Sequence, residues 1–141
     1  MIETALFRVL QESLTNVHRH SGALEVSIRF QYQAETVMLE IRDCGRGIPT
    51  ELLNRLREAS PEAGVGLAGM RERLNELNGK LEIESDGHGT RMRAIVPLPA
   101  IARSAETRNC RRFVLSAHAG LMAGNFTKGA SVSHSEQLAS R

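Results

Sequence analysis

Twice along this chain of 141 residues, a helical spacing of apolar side chains gives way to two alternating runs. That order admits few folds. Over residues 4 to about 20, Leu6, Val9, Leu10, Leu14 and Val17 fall on one helical stripe, and Ser21-Gly22 ends it. Leu24, Val26, Ile28 and Phe30 then alternate with polar or charged partners. Val37, Leu39 and Ile41 repeat the alternation after a short connection, which predicts a hairpin. The second cycle begins with helical spacing at Leu67, Met70, Leu74 and Leu77, closed by Asn78-Gly79. Leu81 and Ile83 mark a strand, Asp86-Gly87-His88-Gly89 a turn, and Met92, Ala94 and Val96 a further strand ended by Pro97 and Pro99. Both stripes and one face of each strand are buried together in an α/β two-layer sandwich. Its helices lie on one face of a mixed, mainly antiparallel sheet.

Between the cycles, residues 44 to 65 are rich in Gly, Pro, Arg and Glu, with one helix-like piece at 51–57. A connection of this length in a small domain is a functional lid or a disordered segment. After Pro99 the composition changes. Residues 1–99 hold 12 basic and 14 acidic side chains, whereas residues 100–141 hold 6 and 2 among scattered Ser, Ala and Gly. The chain therefore divides into a domain over 1–99 and a motif-free, flexible tail over 100–141, with one short helix expected at 112–123.

Composition narrows the function classes. A hydrophobic content of 41% and a charged content of 24% are those of a soluble globular domain. No run approaches the roughly 18 apolar residues of a membrane span. The acidic, polar-patterned N-terminus is wrong for a signal peptide. Cys44 and Cys110 suggest neither a disulfide framework nor a metal cluster, so the reading is a cytoplasmic protein. A net charge of +2 makes no electrostatic case for nucleic acid.

The residues able to carry chemistry fall at the ends of these elements. Glu12 and Asn16 are one helical turn apart and leave the same face, with Arg19 and His20 just beyond. A carboxylate, a carboxamide and a cation together suit a magnesium triphosphate, with the amide oxygen a hard ligand for Mg²⁺. Taken alone, the stretch also reads as the solvated face of an amphipathic helix. Asp43 ends a strand and is followed by Gly45 and Gly47. Such an acceptor suits an exocyclic amine, and the glycines let backbone approach a flat ring closely; a plain Asp-x-Gly turn gives the same spelling. Gly64-Val65-Gly66-Leu67 precedes a helix, where free N–H groups meet phosphate oxygens. It is neither a P-loop, lacking Gly-Lys-Ser/Thr, nor a dinucleotide fingerprint, lacking a strand leading into it. Gly89-Thr90 opens the last strand and places a hydroxyl where it would share a water with Asp43, or simply marks a turn.

In combination these pieces resemble a known family. ETALFRVLQESLTNVHRHSGA resembles the N box of sensor histidine kinases of the nitrate and sugar-phosphate type. IRDCGRGIP is similar to their first glycine box, GVGLAGMRERLNELNGKLEIES to the second, and GHGTRMRAIVPL to the third. The resemblance covers residues 3–98 and implies the Bergerat fold shared by the gyrase, heat-shock-protein, histidine-kinase and mismatch-repair (GHKL) ATPases. It implies ATP and Mg²⁺ as ligands. Asn16 would hold the metal, Asp43 the adenine amine, and Gly45 and Gly47 would shape the adenine pocket. Gly64, Gly66 and Leu67 would lie at the phosphates, reached also by Arg19 and His20, with Thr90 supporting Asp43. Glu12 would place Mg²⁺ or water, and residues 46–63 would form the ATP lid.

Two departures follow. None of His18, His20, His88, His118 or His134 is followed by the acidic residue that accompanies the family's phosphoacceptor. The partners implied are therefore a histidine-bearing dimerisation domain supplied in trans and, through it, a response regulator. The family's first strand is also missing ahead of the N-box helix, which would leave a sheet edge unpaired. The alternatives are a nucleotide-binding interaction module, an anti-sigma-type serine kinase, or an inactive kinase fragment.

Overall fold

The computed structural model describes residues 1–33, 35–57, 65–99 and, as backbone, 110–116. Helix α1 runs Ile2–Asn16 and continues through one π-helical turn, Val17–Ser21, which Gly22 closes with φ 67°. Its buried residues are Ala5, Leu6, Val9 and Ser13, while Leu10, Leu14 and Val17 are only partly covered. The inward face is thus centred on a serine that apolar spacing alone passes over. Ser13 is tolerated there because its hydroxyl donates to the Val9 carbonyl at 2.6 Å and packs against the Met92 sulfur at 3.1 Å.

Strands β1 (Glu25–Tyr32) and β2 (Thr36–Asp43) form the expected hairpin, with Ile28 opposite Ile41 and Phe30 opposite Leu39. Helix α2 (Thr50–Arg57) buries Leu53 and Leu56, and α3 (Val65–Asn75) buries Met70 and Leu74. The Gly79 N–H caps α3 by donating to the Leu74 carbonyl at 2.7 Å. Strand β3 (Lys80–Asp86) pairs with β4 (Gly89–Pro97), which pairs with β2. The sheet order is β3-β4-β2-β1-β5, and every pairing among the described residues is antiparallel, so the sheet is not mixed there.

One face of the sheet carries the core. Val9, Val37, Met70, Leu74, Ala94 and Val96 are each at most 1% exposed. The other face is a charged ladder: Arg93 bonds Glu40 at 2.9 Å and lies 3.7 Å from Glu82 and 3.6 Å from Glu84, while Arg91 pairs with Glu84. The hydrogen bond that Arg93 donates to the Glu40 carboxylate raises the guanidinium pKa above its ordinary value. One buried and one polar face is what an antiparallel sheet with helices on a single side requires.

Strand β5 (Cys110–Ser116) corrects the expected helix over 112–116, and residues 117–123 lie outside the described residues. It pairs antiparallel along β1, with Phe113 opposite Ile28 and Leu115 opposite Val26. The free N–H and C=O groups of an edge strand are a template, and pairing to them outweighs weak local helical preference. The β1 edge is therefore covered by a segment from the expected tail. Ending the chain at Pro99 should cost about 2–4 kcal/mol, a few ladder hydrogen bonds at a net 0.5–1.5 kcal/mol each. A urea midpoint lower than that of a chain ending at residue 117 checks this; equal midpoints would mean β5 adds nothing.

Candidate functional site

Asp43 is the last residue of β2 and, by alternation, shares the core face with Leu39 and Ile41. It is only 4% exposed. Its Oδ1 accepts the Gly45 N–H at 2.9 Å, while its other oxygen has no hydrogen-bond donor among the described residues. Directly across the ladder on β4 stands Thr90. The Thr90 hydroxyl lies 3.0 Å from Ser85 Oγ on β3. Ser85 in turn accepts the Ile48 N–H at 2.7 Å and donates to the Gly89 carbonyl at 2.8 Å. A hollow of about 370 Å³ at this sheet end is lined by Asp43, Ser85 and Thr90 together with Arg42, Glu84 and Arg91 of the charged face.

The first glycine box is packed against protein backbone on both sides. Gly45 touches the Ser21 backbone at the end of the π-helical turn, and the Arg46 N–H donates to the Ser21 carbonyl at 3.0 Å. Arg46 Nε also donates to the His20 carbonyl at 2.6 Å. Gly47 has φ 72°, and a Cβ there would run into the Asp86 carbonyl. The two glycines thus let the loop after β2 wedge between the end of α1 and the β3–β4 turn. Gly47→Ala should cost about 1–3 kcal/mol through its forced left-handed backbone, and should weaken any ligand bound at Asp43. A thermal melt with a parallel titration checks it; a variant matching the parent in both would mean the loop tolerates a side chain there.

Glu12 is half-buried on α1, and a Cβ on Gly66 would strike its carboxylate. The carboxylate therefore lies against the first turn of α3, where the helix dipole favours negative charge. Both residues border a groove of about 370 Å³ between α1 and α3, flanked by Arg8 and Arg73. Asn16 ends α1, one turn beyond Glu12 and next to the π-helical turn. Arg19 and His20 lie within that turn with exposed side chains, and neither side chain bonds another site residue among those described. Leu67 is half-buried against the core. Gly64 and residues 58–63 of the expected lid lie outside the described residues.

The structure therefore joins Asp43, Gly45, Gly47 and Thr90 at one end of the sheet, and Glu12 with Gly66 at the helix crossing. Sequence reasoning missed Ser85, Arg46 and Ile48. Ser85 carried a signal: on β3 the alternation Leu81, Ile83, Ser85 puts a hydroxyl at a core-face position, which requires partners.

Residues 1–100 match the family of Histidine kinase-, DNA gyrase B-, and HSP90-like ATPases. The chain belongs to that family. Over 92 residues it is 42% identical to the signal transduction histidine-protein kinase/phosphatase UhpB of Salmonella typhimurium, covering 65% of this chain and 17% of UhpB. Over 97 residues it is 35% identical to the signal transduction histidine-protein kinase/phosphatase DegS of Bacillus subtilis, covering 68% of this chain and 24% of DegS. The chain thus spans about a quarter or less of these relatives. Among solved structures, the histidine kinase domain of the Erythrobacter litoralis EL346 blue-light activated histidine kinase superposes with TM-score 0.57 at 26% identity, covering 67% of this chain and 46% of that one. The Acinetobacter baumannii histidine kinase AdeS gives the same values. The domain is of the histidine-kinase ATPase type.

Proposed function

We propose that this chain binds Mg-ATP and acts as the catalytic domain of a sensor histidine kinase. It would pass the γ-phosphoryl group to a histidine on a separate dimerisation domain, which would then supply a response regulator. The observation that carries the reading is Asp43: a carboxylate 4% exposed, with one oxygen held by Gly45 and the other lacking a protein donor among the described residues. A mostly buried carboxylate with one oxygen still open fits an exocyclic amine, as adenine offers and guanine does not at the same ring position.

Glu12 supports the metal. Phosphates directed to the start of α3 would meet its carboxylate beside Gly66, and a divalent cation between the two relieves the repulsion. Asn16 and Glu12 supply the oxygen donors such an ion prefers. Bound there, Mg²⁺ would offset charge on the phosphate oxygens. Arg19 and His20 would approach the triphosphate from the π-helical turn, with Gly64, Gly66 and Leu67 on the α3 side. In the transfer, a nitrogen of the incoming imidazole bonds to the γ-phosphorus as the bond to the β-phosphate oxygen breaks, and ADP leaves. The chain's contribution is to hold and align the nucleotide. A cytoplasmic setting goes with this reading; among the described residues, no helix is long and apolar enough to cross a membrane.

The test has two parts. Titration with a non-hydrolysable ATP analogue, with and without Mg²⁺ and beside the GTP analogue, should show magnesium-dependent binding that prefers adenine. Incubation with a separately made dimerisation domain and labelled ATP should then yield acid-labile, base-stable phosphate on that domain. Tight binding without transfer would favour an interaction module. Acid-stable phosphate would point to a serine kinase, and folded protein without binding to an inactive fragment.

A further inference from the structure

The Ser85 hydroxyl sits where three segments meet: the loop after β2, the end of β3 and the start of β4. A serine hydroxyl has one proton and two lone pairs. The Gly89 carbonyl can only accept, so it takes the Ser85 proton at 2.8 Å. The Ile48 N–H can only donate, so it fills one lone pair at 2.7 Å. One lone pair is left for Thr90, whose oxygen is 3.0 Å away, and the Thr90 hydroxyl must therefore donate to Ser85. With its proton committed there, Thr90 offers only lone pairs to its surroundings. Across the ladder, Asp43 also presents an acceptor with no protein donor among the described residues.

We propose that Ser85 is a positioning residue for nucleotide selectivity: by holding the Thr90 proton, it makes the sheet end an all-acceptor edge that admits an amino group and rejects an oxo group. The inference rests on the nucleotide reading above. An amino purine donates to Asp43 and, directly or through one ordered water, to Thr90. A 6-oxo purine brings a third acceptor to two acceptors, and rejection of that kind is where selectivity is made. Without Ser85, Thr90 is free to rotate and offer its proton to the oxo group. Asp43 discriminates in either case; Ser85 adds to it.

The full chain, its Ser85→Ala, Ser85→Thr and Thr90→Val variants, and the Ser85→Ala/Thr90→Val double variant are titrated with non-hydrolysable analogues of ATP and ITP. Ser85→Ala should narrow the ATP-to-ITP affinity ratio roughly tenfold, the scale of one buried hydrogen bond. Ser85→Thr, which keeps a hydroxyl, should hold the parent ratio. Thr90→Val should narrow the ratio as Ser85→Ala does, and adding Ser85→Ala to it should change the ratio no further. Equal weakening of both nucleotides in Ser85→Ala would make Ser85 a structural brace and overturn the proposal. Should that variant not fold, an unchanged ratio in Thr90→Val overturns it instead. Parent protein that binds neither nucleotide overturns the nucleotide reading and this one together, whereas ATP binding with a ratio indifferent to Ser85 overturns this one alone.

Discussion

Asp43→Asn should lower the affinity for ATP about 100-fold, near 2.7 kcal/mol, and leave the fold intact. The amide oxygen still accepts the Gly45 N–H that the carboxylate accepts at 2.9 Å, so the turn after β2 keeps its anchor. The NH₂ then faces the pocket, and an adenine amine meets a donor where it had an acceptor. Losing a charge-assisted hydrogen bond costs about 1.5–3 kcal/mol, and the opposed donors add to it. Flipping the amide gives no escape, because its NH₂ would then oppose the Gly45 N–H. Calorimetric titration beside a thermal melt checks the outcome. Parent-like affinity in a folded variant would place adenine elsewhere.

Leu74→Ala should destabilise the domain by about 2–5 kcal/mol, a large share of the 5–15 kcal/mol typical of a whole domain. Leu74 is 0% exposed, and its carbonyl accepts the Gly79 N–H that ends α3. Truncation leaves a void between α3 and the sheet at the point where the helix is tied down. Since α3 also carries Gly66 against Glu12, the groove between α1 and α3 should loosen with it. Leu52→Ala is the control: that leucine is 41% exposed, and its loss should change stability by no more than about 0.5 kcal/mol. A shift in urea midpoint for Leu74→Ala no larger than for Leu52→Ala would mean that α3 is not packed as described.

Much of this architecture was legible in the sequence, for a physical reason. The helix and strand periods over residues 4–98 reflect burial on one face, and burial is what packs α1, α3 and β1 to β4. The ends of elements were legible through Gly22, Asn78-Gly79 and the prolines after Val96. What stayed hidden depends on contacts distant in sequence. Strand β5 forms because β1 offers it an edge about 80 positions earlier, and no local pattern in CRRFVLS announces that. The first glycine box read as an approach to a ligand ring, yet Gly45 and Gly47 also clear space for the backbones of Ser21 and Asp86. Ser13 and Ser85 are buried or half-buried hydroxyls satisfied from other elements, a feature that spacing hints at and only tertiary structure explains.

The β1–β5 pairing also sets an order in time. Residues 25–31 of β1 leave the ribosome well before residues 110–116 exist to cover them. At about 5–20 residues per second, the delay lasts roughly 4–17 s, long compared with the microseconds in which the β1–β2 hairpin closes. For that interval β1 is without its β5 partner, and neighbouring chains on one message would lack it at the same moment. Crowded translation is therefore a condition expected to favour mispairing along β1, and slowing synthesis before residue 110 would lengthen that interval.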